Sequence, residues 1–364
     1  MDINLSLSKT LKTKPDESGL GFGRIFTDHM FSMDYDIDKG WHNPRIHPYE
    51  DIRLDPAATV LHYSQCAFEG LKAYRTPEGI NLFRPRDNFK RMNTSCRRLA
   101  MPELDEEFVL SALLKLLEIE KDWVPPFPDG TIRNNLKKSE GASLYIRPTI
   151  IANDPFLGVH AAHKYLFFII LSPSGAYYPG GMAPIKIYVE DEYVRAVRGG
   201  LGFTKAGANY AASILAGEKA QKLGFTQVLW LDGVEKRYIE EVGAMNIFFK
   251  INGELVTPEL SGSILPGITR DSVLTIARSM GINTIEKKID VHDLIEAGKR
   301  GEIEDAFGTG TAAVISPIGW LTYQDTTVAI NNGKTGALAQ KLYDMLTDIQ
   351  YRGEKDEFGW AMKL

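Results

Sequence analysis

The chain contains apolar runs of strand length and segments with apolar residues at helical spacing. The strand-like runs are rich in β-branched and aromatic residues and are bounded by turn residues. They occupy residues 143–152, 164–172, 185–190, 226–232 and 245–251. The pattern predicts five strands in the middle of the chain.

Helices are predicted where apolar residues recur every three or four positions. Residues 87–99 begin with Asp87, a candidate N-cap. One face of this segment carries Phe89, Met92, Cys96 and Leu99. Further helical patterns cover 106–121, 207–223, 270–281 and 335–349. Clustered strands with intervening helices indicate an α+β or mixed α/β fold rather than a regular alternating barrel.

A domain boundary is predicted at SPSGAYYPGGMAP, residues 172–184, because glycines and prolines there join two strand-rich halves. We expect a small N-terminal domain at 1–174, a connecting loop at 175–183 and a larger C-terminal domain at 184–364. The polar segment 127–141 is expected to be a surface insertion that precedes a strand.

Composition narrows the function classes. A length of 364 residues with 44% apolar and 24% charged residues is typical of a globular protein with a substantial core. The net charge of -5 and the absence of a long basic stripe argue against a nucleic-acid partner. Cys66 and Cys96 have neither paired spacing nor a histidine cluster, so we expect no disulfide framework and no metal site. The N-terminus lacks an export or import pattern, and we expect a cytoplasmic protein.

Candidate chemistry begins with Lys205 in GGLGFTKAGANYAAS, residues 199–213. Most lysines are solvated surface charges. This one lies among glycines and alanines, which permit close backbone approach and leave room for a bound molecule. A buried ammonium group loses its proton readily, so such a lysine could be a nucleophile.

A carboxylate pair, Glu240 and Glu241, precedes the apolar run 245–251. Because neighbouring strand residues point to opposite faces, we expect one glutamate in the interior and the other in solvent. An interior carboxylate needs a partner. Two surface glutamates at the end of a strand are the alternative.

Two turns and two arginines complete the candidate chemistry. SILPGITR (263–270) and FGTGTAAV (307–314) are rich in glycine and threonine, and such turns can bind a phosphate through backbone amides. Neither matches a nucleotide-binding phosphate loop. Arg91 lies on a helix face, and Arg147 interrupts a strand. Aromatic residues are available at Tyr63, Phe68, Tyr145 and Tyr177.

Together these residues meet the requirements of pyridoxal phosphate. A lysine forms the covalent link, amides and an arginine bind the phosphate, and a carboxylate keeps the pyridine nitrogen protonated. The sequence indeed resembles the branched-chain amino acid aminotransferases of the fold-type IV pyridoxal-phosphate enzymes. The resemblance runs in order along nearly the whole chain, through GFGRIFTDHMF, LHYSQCAFEGLKAYR, LFRPRDNFKRM, LYIRP, NDPFLGV, GAYYPGG, GGLGFTKAGANY, QVLWLD, EEVGAMNIFF, ILPGITR, FGTGTAAVISP and IQYRGEKDEFGW.

The resemblance implies a two-domain fold with the cofactor at the interface and the lysine in the C-terminal domain. It assigns the Schiff base to Lys205, the cofactor's phenolic oxygen to Tyr210 and the pyridine nitrogen to Glu241. It further implies that phosphate and ring contacts come from Arg91, Arg195, Gly267, Ile268, Thr269 and Thr311.

For the substrate, the resemblance implies an apolar pocket and backbone amides that bind the carboxylate. The pocket residues are Phe22, Phe68, Tyr145 and Tyr177. The carboxylate site maps onto Thr311, Ala312 and Ala313. Tyr63, Leu157 and Val159 are expected to reach the pocket of a neighbouring subunit, which implies a homodimer. Arg147 is our candidate for the γ-carboxylate of glutamate.

The sequence departs from the family at two motifs. A C-x-x-C pair found in mammalian members is replaced here by Ala313 and Ser316, which excludes thiol regulation at those positions. Ala244 stands where many relatives have threonine or serine, so one hydroxyl near the substrate carboxylate is lost. The segment 127–141 is also longer than in mammalian relatives.

Other functions compete with that of a branched-chain amino acid aminotransferase. A D-amino-acid aminotransferase or an aminodeoxychorismate lyase of the same fold type would use the same lysine. A retaining glycosidase is disfavoured because adjacent strand carboxylates diverge and cannot flank one bond at about 5 Å. A non-catalytic small-molecule binder is the remaining alternative.

Overall fold

The computed structural model describes residues 1–16, 19–127, 142–175, 180–351 and 356–364. The strands are β1 Asn4–Leu5, β2 His29–Asp36, β3 Gly40–Pro48, β4 Cys66–Phe68, β5 Leu71–Thr76, β6 Gly79–Phe83, β7 Ser143–Ala152, β8 Lys164–Ser174, β9 Ile185–Glu190, β10 Gln227–Leu231, β11 Ile239–Val242, β12 Met245–Ile251, β13 Glu254–Thr257, β14 Thr284–Glu286, β15 Ile303–Gly310, β16 Val314–Tyr323, β17 Thr326–Ala329 and β18 Ala361–Lys363. The helices are α1 Thr59–Tyr63, α2 Pro85–Arg98, α3 Glu106–Ile119, α4 Gly207–Ala211, α5 Ile214–Lys222, α6 Ile268–Ser279, α7 Val291–Lys299 and α8 Ala337–Tyr351. The mixed α/β fold class is confirmed.

The chain divides into two units. The first contains Met1–Tyr177, Thr204–Gly207 and Thr347–Leu364, and the second contains Tyr178–Phe203 and Ala208–Leu346. The segment that carries Lys205 thus groups with the first unit. The domain limits proposed from sequence, including the insertion at 127–141, stay predictions, since residues 128–141 and 176–179 lie outside the described residues.

A nine-stranded sheet organises the first unit. Its strand order is β1-β3-β2-β8-β7-β5-β6-β18, and β4 pairs with β7. Helices α2 and α3 pack apolar faces into its core, as the periodicity predicted; Phe89, Met92 and Cys96 are almost fully buried. Helix α3 begins where the side chain of Asp105 accepts a hydrogen bond from Phe108 N–H, at 3.0 Å.

The second unit is built on another nine-stranded sheet. Its order is β11-β10-β9-β16-β15-β12-β13-β14, with β17 on β16. Strand β11 also pairs with β12, so six strands, β9, β10, β11, β12, β15 and β16, close into a ring. The closure brings the glutamate pair on β11 beside β12, where Glu241 lies opposite Asn246.

Three expectations need correction. Asp87 is not an N-cap: α2 begins at Pro85 after Arg84, and Asp87 lies in its first turn, where it accepts a hydrogen bond from Arg84 Nε at 2.6 Å. The helix predicted at 207–223 is broken into α4 and α5, because Ser213 forms a turn in which its Oγ and N–H both donate to the carbonyl of Tyr210, at 2.7 and 3.2 Å. FGTGTAAV is not only a turn: its first half ends β15, and its last residue begins β16. In the described ranges no helix is long and apolar enough to cross a membrane.

Candidate active site

The main chain of Lys205 is held on both sides. Its N–H donates to Ser95 Oγ at 2.9 Å, and its carbonyl accepts a hydrogen bond from Phe68 N–H at 3.1 Å. The partly buried side chain places Nζ 5.1 Å from the centre of the Phe68 ring. A side chain that leaves a fixed backbone segment is well suited to hold one position in a reaction.

The glycines around Lys205 have a different role from the one expected. They were predicted to leave room for a bound molecule. A Cβ on Gly207 would lie 2.5 Å from Cys66 Sγ, and a Cβ on Gly202 would lie 2.0 Å from the Ser263 carbonyl oxygen. These two glycines are therefore required for close packing against the protein itself.

Arg91 forms a buried ion pair with Glu69. Its Nε and Nη2 donate to the two carboxylate oxygens of Glu69 at 2.7 and 2.8 Å. The Glu69 side chain is fully buried, and that of Arg91 is 10% exposed. The bidentate pair fixes the plane of the guanidinium group. The predicted phosphate contact of Arg91 stays a prediction.

A cationic and aromatic cluster surrounds Arg147. Its Cζ lies 4.7 Å from the centre of the Phe68 ring and 5.2 Å from that of Tyr145, and its Nη2 donates to Tyr145 Oη at 3.0 Å. Phe22 meets Tyr145 edge to face at 4.9 Å. Buried Arg147 Nε has no hydrogen-bond partner among the described residues. The structure thus brings Phe22, Phe68 and Tyr145, three of the predicted pocket residues, close to an arginine nitrogen that can donate a hydrogen bond. The fourth predicted residue, Tyr177, lies outside the described residues.

The residues expected at a subunit contact lie on the surface of the first unit. Tyr63, Leu157 and Val159 have 41%, 61% and 84% of their surface exposed. Tyr63 Oη donates to the carbonyl of Leu157. Neighbouring Phe156 is also exposed. We call Tyr63, Phe156, Leu157 and Val159 the apolar patch.

In the second unit, Glu241 is buried and held by three residues. Its Oε1 accepts hydrogen bonds from Leu265 N–H at 2.9 Å and from Asn246 Nδ2 at 3.2 Å. Its Oε2 lies 3.1 Å from Nε of Arg195. Arg195 in turn donates to the carbonyls of Ser263 and Gly202. These contacts keep one carboxylate in a fixed orientation.

The expectation that only one of the two glutamates is buried is wrong. Glu240 is 5% exposed and Glu241 is 3% exposed. Strand β11 follows an irregularity in its pairing with β10, between Leu229 and Leu231, and the Ser263 segment contacts the Glu240 side chain. Burial raises the pKa of Glu240 to about 7, and the nearby charge of Glu241 acts in the same direction, whereas Ser263 and Arg195 oppose the shift.

Of the two turns predicted to bind an anion, one leads into helix α6 and the other connects strands β15 and β16. Gly267 is the N-cap of α6 and has no side-chain cap, while Ile268 and Thr269 in the first turn are buried. A Cβ on Gly267 would lie 1.9 Å from Asn246 Oδ1, so only glycine fits. Partly buried Thr311, Ala312 and Ala313 connect β15 to β16. The backbone amides at the start of a helix suit an anion.

The fold also places two further residues from the predicted set. Tyr210 lies in α4 and is partly buried, and Ala244 is exposed in the turn between β11 and β12. Their proposed roles stay predictions.

Several residues around these groups were missed from sequence. Ser95 and Glu69 support Lys205 and Arg91, and Asn246 links Glu241 to the carbonyl of Leu265 at 2.9 Å. Asn246 is a polar residue within the apolar run of β12, and a similar break in the pattern drew attention to Arg147. Lys72 was also missed: burial lowers its pKa to about 8, which makes it the chemical rival of Lys205.

Comparison with known proteins identifies the family. The model of the amino-transferase class IV family matches residues 66–319. The chain therefore belongs to the class IV aminotransferases. It is 55% identical over 363 residues to branched-chain-amino-acid aminotransferase 2 of Bacillus subtilis (strain 168), covering 100% of this chain and 97% of the relative. Branched-chain-amino-acid transaminase 1 of the same organism is 54% identical and covers 97% and 96% of the two chains. Within the class, the chain belongs with the branched-chain-amino-acid aminotransferases.

Solved structures agree on the fold. The branched-chain amino acid aminotransferase of Escherichia coli has a TM-score of 0.76 at 25% identity and covers 92% of this chain and 99% of its own. The branched-chain amino acid aminotransferase from Thermobaculum terrenum, solved in its PLP-form, has a TM-score of 0.73 at 22% identity, covering 93% and 98%. The fold-type IV architecture expected from sequence is confirmed.

Proposed function

We propose that this enzyme transfers the amino group of L-leucine, L-isoleucine or L-valine to 2-oxoglutarate, reversibly, with pyridoxal 5'-phosphate as cofactor. The observation that carries the proposal is 55% identity along the whole chain to a branched-chain-amino-acid aminotransferase. The reaction is expected to be ping-pong, because the amino group stays on the enzyme between the departure of one oxo acid and the arrival of the next.

The residues present fit this cofactor. Lys205 offers an amine on a fixed backbone, and Glu241 offers a buried carboxylate in a fixed orientation. Gly267 is the N-cap of α6, and the backbone amides at the start of a helix favour an anion such as a phosphate. Lys205, Tyr210 and Glu241 would hold the ring, while Arg91, Ile268, Thr269 and Thr311 would hold the phosphate, and Arg195 would orient Glu241.

The proposed mechanism assigns proton transfer to Lys205. Bound pyridoxal phosphate supplies an electron-accepting ring that spreads the negative charge left on the substrate α-carbon. Lys205 Nζ would act as the base that removes the α-proton of the substrate and would hold that proton during the amino transfer. Glu241 keeps a proton on the pyridine nitrogen, because a fixed anion raises the pKa of that nitrogen.

The pocket must accept an isobutyl group and the γ-carboxylate of glutamate in turn. Phe22, Phe68 and Tyr145 supply apolar surface, on which a bare carboxylate would be poorly solvated. Arg147 Nε is a buried donor without a partner in the described part of the chain, and we propose that it binds that carboxylate. The amides of Thr311, Ala312 and Ala313 are proposed to bind the α-carboxylate.

Replacing Arg147 with alanine should therefore separate the two substrates. We expect kcat/KM for glutamate to fall at least about tenfold more than kcat/KM for leucine, since a charged hydrogen bond is lost for glutamate alone. Steady-state kinetics with both amino donors measures the effect. Tyr145→Phe, which removes only the hydroxyl that Arg147 contacts, should shift the ratio in the same direction by less. An equal loss for both substrates would refute this role of Arg147.

A homodimer is part of the proposal, with the apolar patch at the subunit contact. Exposed apolar side chains that adjoin one another are typical of interfaces. We expect Val159→Asp to raise the dimer dissociation constant at least about tenfold, because the charge would have to be buried. Val234 is the matched control, since it is 82% exposed in the second unit. Analytical sedimentation measures the dimer dissociation constant of both variants. Equal constants for Val159→Asp and Val234→Asp would contradict the proposed interface.

Substrate class and compartment complete the proposal. A coupled assay with L-leucine or D-alanine as donor and 2-oxoglutarate as acceptor tests the function directly. We expect turnover with L-leucine; turnover restricted to D-alanine would favour a D-amino-acid aminotransferase. Cys66 and Cys96 are free thiols, which supports the proposed cytoplasmic location.

A further inference from the structure

Glu240 is a buried carboxylate that the proposed mechanism does not use. The Ser263 hydroxyl donates a hydrogen bond to Glu240 Oε1. Glu240 Oε2 is buried and has no hydrogen-bond partner among the residues that the structure describes. Burying a carboxylate oxygen without a hydrogen-bond partner costs free energy, so the burial of Glu240 beside Glu241 requires a physical reason.

Glu240 is connected to Glu241 through two residues. Ser263 contacts Glu240 through its hydroxyl and contacts Arg195 through its carbonyl oxygen, to which Arg195 Nη2 donates. The Nε of the same guanidinium faces Glu241 and lies 3.1 Å from its Oε2. One arginine charge is thus shared by two buried carboxylates, directly with Glu241 and across Ser263 with Glu240.

We propose that Glu240 is a positioning residue for the cofactor-binding carboxylate: through Ser263 and Arg195 its ionisation sets how strongly Glu241 attracts a protonated pyridine nitrogen. The inference rests on the proposed function of Glu241. With Glu240 ionised, the group of Glu240, Glu241 and Arg195 carries a net charge of about -1; with Glu240 protonated, its net charge is about zero. A net negative group binds a pyridinium cation more tightly.

Burial first, and nearby carboxylates second, raise the pKa of Glu240 to a value near neutral pH. A cavity of about 220 Å³ borders it. The titratable groups that face this region, besides Arg195 and Glu241, are Arg198, Asp232, Glu235, Tyr238, Glu259 and Lys288. Asp232 raises the pKa of Glu240, and its own carboxylate is engaged by main-chain amides, including those of Glu235 and Tyr238 at 2.7 and 2.8 Å. Burial and the two nearby carboxylates place the Glu240 pKa at about 7.

The test measures ligand binding rather than turnover. The full-length protein freed of cofactor is titrated with pyridoxamine 5'-phosphate and with its 1-deaza analogue, in which carbon replaces the ring nitrogen. The ratio of the two dissociation constants isolates the interaction at that nitrogen. Wild type is compared with Glu240→Gln, which mimics the protonated acid at every pH, and with Glu235→Gln, a control at an exposed carboxylate of the same cavity.

We expect wild type and Glu240→Gln to discriminate the two ligands equally at pH 6. At pH 8.5, wild type should prefer the nitrogen-containing ligand about threefold to tenfold more than Glu240→Gln does. Glu235→Gln should follow wild type. Equal discrimination by wild type and Glu240→Gln at both pH values overturns the inference, as does an equal loss of affinity for both ligands, which would mean a structural role alone.

Ser263→Ala provides a second variant if Glu240→Gln does not fold. It keeps the carboxylate but removes the hydrogen bond that stabilises its charge, so the pH midpoint of the discrimination should move upward. An unchanged midpoint would also overturn the inference. Failure of wild type to bind pyridoxamine 5'-phosphate at all would refute the proposed function itself, an outcome distinct from the loss of pH dependence.

Discussion

Replacing Lys205 with alanine is expected to lower the turnover of L-leucine with 2-oxoglutarate at least about a thousandfold. The variant loses both the amine that would hold the cofactor covalently and the base that would move the α-proton. The fold should survive, because the hydrogen bonds of this residue to Ser95 and Phe68 are made by its main chain. A coupled assay of oxo-acid formation measures the loss.

The control for this variant is Lys222→Ala, at an exposed lysine in α5. It should keep nearly full activity. Circular dichroism of both variants should match that of wild type. Retention of activity within about tenfold by a folded Lys205→Ala protein would mean that another group carries the proton transfer.

The second large effect is expected on stability. Glu69→Ala should lower the free energy of unfolding of the cofactor-free protein by about 3–5 kcal/mol, because it leaves the buried Arg91 guanidinium without its bidentate partner. Urea denaturation followed by circular dichroism measures the change. The variant should also bind the cofactor less tightly, since the orientation of Arg91 is no longer fixed.

An exposed ion pair between α2, the helix of Arg91, and α3 provides the control. Arg86 and Glu107 form an equally bidentate contact, at 3.0 and 2.8 Å, but more than half of each side chain is exposed. Glu107→Ala should therefore change stability little. If Glu69→Ala and Glu107→Ala destabilise the protein by similar amounts, burial does not govern the contribution of the Arg91 pair.

The local sequence pattern predicted those strands whose residues strongly favour a strand. The strands at 143–152, 185–190 and 245–251 were predicted with their observed limits, because each is a compact run of β-branched and aromatic residues between turn residues. The β15–β16 hairpin was missed. Its glycines and threonines favour a turn locally, and only pairing with β12 and β9 makes the flanking segments strands.

The candidate site shows the same limit. A lysine among small residues and a pair of glutamates are visible in the chain, and the family resemblance selects Glu241 from that pair. The partners Ser95 and Leu265 could not be predicted, because they lie 110 and 24 residues away from Lys205 and Glu241 and are brought close only by the tertiary fold. The burial of Glu240 likewise depends on a distant segment rather than on strand alternation.

Lys205 is the residue proposed to hold pyridoxal phosphate, and peptide mass spectrometry after borohydride reduction of the purified enzyme tests this role most directly. We expect a phosphopyridoxyl group on the peptide that contains Lys205 and none elsewhere. A phosphopyridoxyl group on Lys72, whose pKa burial lowers to about 8, would contradict the role of Lys205. So would the absence of this group from every lysine.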